Sequence, residues 1–397
     1  MPENNEKNII KRRAVFMIVI TVVIIAVGFA LMVMYAGGKK LTKITSYGFN
    51  MNTALTLNFF VPEKEADAYS GEDGKNPWSE DIKSLVGRLD RKVLSRRSQG
   101  SEVYAFNEWQ STEKFEVSEE LYSAVVLCQD IAEKSHGAGD ITLGNLIVEW
   151  GIEDIAEKGT DVGREEGIEE TIVPTKEELD AAAATIGYEH LTAINENGKY
   201  YLQKDIPYLT LDLGAAGKGY ALDKVWKYLK NQDTETLNSA VIALGGSILV
   251  YGSRTSKIGI QDPLSDGMKQ MGVLTISGLG KNEAAFVSTS GDYEQYVEEK
   301  NESGVIKKYH HILDPDTLYP ADTGLRSVTV IAKNGLISDM LSTACYVLGM
   351  EESVELLAEY ECEAIFIAKD NKVYCTSGVI DSFKIENDTF VPGGALN

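Results

Sequence analysis

Residues 14–35 read AVFMIVITVVIIAVGFALMVMY, twenty-two consecutive positions without a charge. As a helix rising about 1.5 Å per residue, such a run is about 33 Å long, enough for a bilayer core of about 30 Å. A soluble helix apolar on every face for that length is rare. The uncharged core of a cleaved signal peptide runs to about 7–15 residues and ends at a small-residue site. Ala36-Gly37-Gly38 is small, but no A-x-A pattern precedes it and no cysteine follows for a lipid anchor. The run is therefore expected to be an uncleaved transmembrane anchor. Lys11, Arg12 and Arg13 abut it on one side, and Lys39, Lys40 and Lys43 on the other. A long acidic body translocates largely regardless of its charge, which places the N-terminus inside and the body outside. The expected organisation is a cytoplasmic tail at 1–13, the span at 14–35, a linker at 36–46 and one catalytic body at 47–397. The expected location is the cell membrane, single-pass, with the body extracytoplasmic.

Charge narrows the partners. Of 397 residues, 38 are Lys or Arg and 60 are Asp or Glu, a net of −22. Residues 1–43 hold seven of the basic and two of the acidic side chains, so the remainder carries −27. Nucleic acid is not an expected partner, because a phosphate backbone needs a basic face. An anionic ligand would need a metal ion or backbone N–H groups. The four cysteines, Cys128, Cys345, Cys362 and Cys375, form no CxxC pair. Zinc and thioredoxin-like readings therefore lack support. Four thiols in so long a chain do not make a disulfide framework; a Cys362–Cys375 pair across an expected hairpin is the lesser reading, and Cys345 reads as core.

Within the body, Leu55, Leu57 and Phe59 alternate as in a strand. Residues 62–80 and 154–172 read as polar insertions. Ile82, Leu85, Val86, Leu89 and Val93 share one helical face, as do Leu121, Val125, Cys128 and Ala132. Thr175 and Glu178 have capping-box spacing, with Gly187 as the stop. Strands are expected at 208–212, 241–244, 257–260, 273–276, 284–288 and 328–332. Helices near 338–348 and 351–361 follow, then a hairpin of 364–368 with 372–376. The mixture lacks strict βαβ alternation and predicts an α+β fold.

Four motifs carry chemistry. In Asp212-Leu-Gly-Ala-Ala-Gly-Lys-Gly219 an expected strand end gives way to small residues and a helix start near Lys218. Glycines let backbone N–H groups approach phosphate oxygens at a helix N-terminus. The spacing is neither Walker A nor the dinucleotide GxGxxG, and a plain strand–helix turn explains it equally well. Val287-Ser-Thr-Ser-Gly-Asp-Tyr293 offers hydroxyls and a carboxylate, or an ordinary turn. His310-His311-Ile312-Leu313-Asp314-Pro315 concentrates two of the four histidines, which act in acid–base chemistry or serve structure. Asp339 and Thr343 stand four apart, so a helix sets both oxygens on one face. That pair suits Mg²⁺, or else an N-cap with a back-bonded threonine.

Taken in order, these motifs resemble the FAD:protein FMN transferases, the ApbE flavin transferases. The resemblance covers residues 47–378. It rests on Met51-Asn52-Thr53, Ser101-Glu102 with Asn107, residues 135–142 (SHGAGDIT) leading to Trp150-Gly151, and the 212–219 loop. Leu244-Gly245-Gly246, Gln261-Asp262-Pro263, 288–293, 311–315 and 339–343 follow in the family's order. The resemblance implies an ApbE-like, T-fold-like mixed-sheet body behind the anchor. It also implies a reaction in which FAD, with Mg²⁺, gives its FMN half to a Thr or Ser hydroxyl of an acceptor protein and AMP leaves. Carried over by motif, Asp339 and Thr343 would ligate Mg²⁺, joined by Ala215 through its carbonyl and by Ser342. Asp212 and Lys218 would contact FAD. Met51 and the 138–141 segment, with Ala138, Gly139 and Asp140, would line the flavin or adenine pocket. His311 or the backbone of Ile312 would lie by the pyrophosphate. Lys218 would join the metal in neutralising charge, and Asp339, Asp292 and His311 are alternative bases. On this reading, loss of the Asp339 side chain abolishes turnover with little effect on folding.

This chain departs from the family pattern at four places. Arg97 stands where a tyrosine is usual, and Asn52 replaces the glycine of Met-Gly-Thr. Asp314-Pro315-Asp316-Thr317-Leu318 lacks the glycine of DPxTG, and Ala215 and Gly217 rearrange the small residues of the loop. An FAD pyrophosphatase on the same fold, or a non-catalytic extracytoplasmic flavin-binding protein, would use the same motifs.

Overall fold

The computed structural model describes residues 40–69, 76–151, 173–233, 235–265, 269–300 and 306–396. Its centre is a nine-stranded sheet. In spatial order the strands are Leu41–Asn50, Thr53–Pro62, Ser239–Leu244, Ser247–Gly252, Ala284–Gly291, Leu325–Ala332, Glu363–Ala368, Lys372–Thr376 and Val391–Leu396. Neighbours run antiparallel except the last pair, which is parallel.

Period-two alternation sorts the side chains of these strands between two cores. Leu249, Tyr251, Phe286, Val330, Ala364 and Phe366 point into the larger one. That core also receives Ile82 and Val86 of the Pro77–Leu89 helix, Leu121 and Val125 of Glu119–Lys134, Val225 of Gly217–Leu229, and Leu341 and Cys345 of Gly335–Leu348. Val250, Val287, Ile365 and Ile367 point the other way. They meet Ile258, Ile260 and Leu274 from a three-stranded sheet of Ser256–Gln261, Gln270–Ile276 and Phe383–Ile385. The fold is therefore α+β: helices cover one face of the large sheet, and a smaller sheet covers part of the other.

Most expected elements form, and the exceptions have local causes. The capping box at Thr175 is present, with the Thr175 hydroxyl taking the Glu178 N–H and Glu178 reaching back. The helix it opens ends at Ala183, before Gly187, which instead starts the turn Tyr188–His190 at φ +139. The expected strand at 208–212 is absent apart from a single bridge of Thr210 to Leu143. Asn107 supplies both partners of Leu211, accepting its N–H (2.8 Å) and donating to its carbonyl (2.9 Å), so no ladder forms there. The sheet begins at Leu41, inside the expected 36–46 linker, because Leu41–Asn50 pairs along its length with Thr53–Pro62. The polar segment at 62–80 ends early: Asn76 caps a helix that starts at Pro77. All four cysteines are buried free thiols, so Cys362 and Cys375 do not pair.

Among the described residues, no helix is long and apolar enough to cross a membrane. The 14–35 run, the tail before it and the acidic insertion at 154–172 lie outside the described residues.

Candidate active site at two crossed helix starts

Two helices begin against one another. The Gly217–Leu229 helix follows the 212–216 loop, which its own polar groups shape. Asp212 accepts the Gly214 N–H at 2.6 Å through one carboxylate oxygen and pairs with Arg96 through the other. The Leu213 carbonyl accepts both Ala216 N–H (3.1 Å) and Gly217 N–H (2.7 Å), which turns the chain into the helix. Asp212 N–H is tied to the Ile141 carbonyl at 2.8 Å. Behind the loop, buried Lys204 donates to the carbonyls of Phe106 (3.2 Å) and Leu209 (2.8 Å), and burial pushes its pKa down to about 8.

The Gly335–Leu348 helix crosses the first at its start. Asn334 caps it through the Ile337 N–H at 3.0 Å. A methyl group at Gly219 would stand 2.0 Å from the Gly335 carbonyl oxygen and 2.6 Å from Asp339 Cβ, so only glycine permits this approach. Asp339, on the fifth residue of the helix and 4% exposed, is not an N-cap. Its carboxylate accepts the Gly219 N–H (2.9 Å) and the Ser247 hydroxyl (2.7 Å), with Lys218 Nζ at 3.8 Å. Lys218 also donates to the Gly214 carbonyl at 3.2 Å.

Hydroxyls complete the cluster. Ser342 donates to the Asp339 carbonyl at 2.6 Å. Ser290, at the end of the Ala284–Gly291 strand, lies 2.7 Å from the Ser342 oxygen and 2.9 Å from the Thr343 oxygen. One carboxylate with two or three hydroxyls is a hard-oxygen donor set. It fits Mg²⁺, which keeps water and substrate phosphate in most of its coordination positions. Among the described residues, no three His, Cys, Asp or Glu side chains gather to hold a metal. Asp339, Ser342 and Thr343 are residues that could hold such an ion. Ala215 sits in the 212–216 loop, two residues before the Gly217–Leu229 helix.

The 287–293 motif and the histidine motif meet on a further wall. Glu294 is solvent-exposed, with Gly246 beneath its carboxylate. Its carboxyl is raised from the usual range, first by desolvation and then by Asp339, with Lys218 opposing. It lies over Gly246, where an added methyl would meet its oxygen at 3.1 Å. Sequence reasoning missed Glu294; its place immediately after the 287–293 motif was the available signal. His311 also feels the Lys218 charge, and burial lowers its pKa to about 4. Its Nδ1 lies 3.2 Å from the Gln295 carbonyl, which can only accept, so Nδ1 carries the proton and Nε2 is bare. His310 is buried as well, and its Nε2 pairs with the Ala321 carbonyl at 3.0 Å.

Some expected site residues are already committed elsewhere. The Ile312 N–H donates to His310 Nδ1 (3.3 Å) and its carbonyl accepts from Ala321 (2.9 Å), so its backbone is spent within its own loop. Asp140 accepts the Thr142 N–H at 2.7 Å and faces the Tyr188 N–H, which makes it a brace of the 138–142 turn. Asp292 is paired with Lys308 at 3.7 Å and not with Lys218. Gly139 packs against Met340 and Ala344, which brings the 138–142 turn onto the Asp339 helix, and the Ala138 N–H closes that turn on Ser135. Met51 and Asn52 form the two-residue turn between the first two strands, at φ +51 and +54. The Met51 N–H faces Asp90. Asn52, in place of glycine, tolerates that left-handed backbone better than most side chains.

The fold and this cluster define a class: a mixed-sheet α+β protein with a carboxylate, a lysine and several hydroxyls gathered at the start of two crossed helices. The ApbE family model matches residues 51–366. The FAD:protein FMN transferase of Escherichia coli strain K12 is 32% identical over 291 residues, 72% of this chain and 76% of that protein. The FAD:protein FMN transferase of Treponema pallidum is 32% identical over 315 residues, 75% and 79% of the two chains. The solved flavin transferase ApbE from Vibrio cholerae superposes with a TM-score of 0.67 at 27% identity, covering 86% of this chain and all of that one. The chain belongs to the ApbE family.

Proposed function

We propose that this chain is an Mg²⁺-dependent FAD:protein FMN transferase that moves FMN from FAD to a Thr or Ser hydroxyl of an acceptor protein. The observation that carries the proposal is the Asp339–Ser342–Thr343 donor set beside Lys218 and the start of the Gly217–Leu229 helix, in a chain of this family. Bound Mg²⁺ would supply charge neutralisation and polarisation at the phosphorus under attack. The protein's own groups do the rest. The helix N-terminus presents positive potential to the pyrophosphate, and since the N–H groups of Gly214, Ala216, Gly217 and Gly219 are bonded within the protein, those of Ala215 and Lys218 are the ones the loop offers it. Lys218, held by the Gly214 carbonyl, adds a cation. The acceptor hydroxyl oxygen bonds to the FMN phosphorus, the bond from that phosphorus to the AMP oxygen breaks, and the hydroxyl proton goes to a base. His311 offers its bare Nε2 for that task as a weak base, because burial and the Lys218 charge both lower its pKa, to about 4. We further propose that residues 14–35 anchor the chain in the cell membrane with the body outside.

The test is incubation of the protein with FAD, Mg²⁺ and a candidate acceptor, followed by a denaturing gel read for flavin fluorescence. A fluorescent acceptor band supports transfer. Release of free FMN and AMP with no labelled band would replace transfer with hydrolysis.

A further inference from the structure

The two helix starts at the site are locked by a pair of reciprocal caps. From the Gly335–Leu348 helix, Asp339 takes the Gly219 N–H of the other helix at 2.9 Å. From the Gly217–Leu229 helix, Asp223 takes the Gly335 N–H at 2.7 Å and the Leu336 N–H at 2.9 Å. In each helix the giving and receiving positions are four apart, 219 with 223 and 335 with 339, so each pair lies on one face. Between them the two backbones touch. A methyl at Gly335 would stand 2.3 Å from the Gly219 carbonyl oxygen, and one at Gly219 would stand 2.0 Å from the Gly335 carbonyl oxygen. Asp223 is 6% exposed, and burial, opposed by its two N–H donors, raises its pKa to about 6.

Only one half of this clasp belongs to the chemistry. Asp339 faces Lys218 and the Ser247 hydroxyl; Asp223 touches neither, and its partners are the first two N–H groups of the helix that carries Asp339. We propose that Asp223 is a positioning residue: by holding the start of the Gly335–Leu348 helix against Gly219, it fixes the Asp339 carboxylate where a divalent cation is bound. This rests on the transferase reading, in which Asp339 is a ligand. An Asp339 carboxylate released from Gly219 would keep its charge but lose its aim. The consequence is weaker cation binding and slower turnover, beyond any loss of fold stability.

The experiment compares the full-length wild type with Asp223→Asn and Asp223→Glu. Asparagine keeps the size but turns an amide NH₂ toward one of the two N–H donors, whereas glutamate keeps the charge at a longer reach. Mg²⁺ is titrated in a thermal-shift measurement, kcat and the FAD KM are measured, and hydrogen exchange is followed over 213–222. Expected for Asp223→Asn are a Mg²⁺ midpoint raised about tenfold, a fall in kcat exceeding any change in FAD KM, and faster exchange at Gly219. Asp223→Glu should recover part of each. A lower melting point with unchanged Mg²⁺ midpoint, kcat and Gly219 exchange would reduce Asp223 to an ordinary cap and overturn the proposal. Wild type that shows neither a Mg²⁺ response nor transfer would overturn the transferase reading itself, and the proposal with it.

Discussion

Replacing Asp339 with alanine tests how much of the site is structure and how much is chemistry. Read from sequence as a ligand alone, Asp339 should be removable with little effect on folding. The structure argues otherwise. Asp339→Ala leaves the Gly219 N–H and the Ser247 hydroxyl without their acceptor in a buried place. An unsatisfied buried donor costs about 1–3 kcal/mol, so the two together cost about 2–6 kcal/mol. Against the roughly 5–15 kcal/mol of a typical domain the protein stays folded, with much of its margin gone. Asp339→Asn retains an acceptor oxygen and should lose about half as much. Urea midpoints in the presence of chelator read the structural part, and FMN transfer in saturating Mg²⁺ reads the chemical part. Both variants should fall by orders of magnitude in transfer, while only alanine should fall steeply in stability. An alanine variant as stable as wild type would refute the bonding argument; one with near-normal transfer would refute the ligand assignment.

Other perturbations have equally definite signs. At Asn52, φ +54 favours glycine, so Asn52→Gly should leave the urea midpoint nearly unchanged, while Asn52→Ala should lower stability by about 1 kcal/mol. His310 and His311 have folded pKa values near 4 against an ordinary 6.5. The unfolded chain therefore binds more protons between those values, and each histidine withdraws stability as pH falls from about 6.5 to 4, up to about 3 kcal/mol. Asp223, raised to about 6, acts with the opposite sign between about 4 and 6. The difference is the clean readout: His310→Gln should lose less stability than wild type between pH 7 and 4.5, and equal slopes would contradict the burial argument. A chain beginning at Gly38 should be soluble, folded and active, because it keeps the whole described body and carries −24. One beginning at Met51 should be markedly less stable by urea denaturation, since it strips the Leu41–Asn50 strand from Thr53–Pro62.

What the sequence disclosed follows from how local each feature is. The pairing of Asp339 with Thr343 is a consequence of helical period and needs no tertiary information. The alternation at 55, 57 and 59 likewise announces a half-buried strand, and those three side chains are fully buried. Ser247, Ser290 and Glu294 come to the site from other elements, and Asp223 braces it through Gly335 and Leu336. No periodicity links them to Asp339. The alternating 208–212 segment looked like a strand because side-chain pattern records burial and not bonding. Asn107, a hundred residues earlier in the chain, had taken the backbone groups a neighbouring strand would have used. Conversely, Leu41–Asn50 hid its strand because its outer face keeps Tyr47 and Phe49 exposed, which blurs the alternation. The histidine pair was readable as a cluster. Its protonation state depends on the Gln295 and Ala321 carbonyls and on burial, which only the fold supplies.

The central claim is that Asp339 and Thr343 carry a cation used to transfer FMN through its phosphate. Mass spectrometry of an acceptor protein incubated with this chain, FAD and Mg²⁺ tests it most directly. The expected result is an added mass of FMN less one water, localised to a Thr or Ser, abolished by chelator and restored by Mg²⁺. A flavin attached through its ring, or transfer undiminished by chelator, would contradict it.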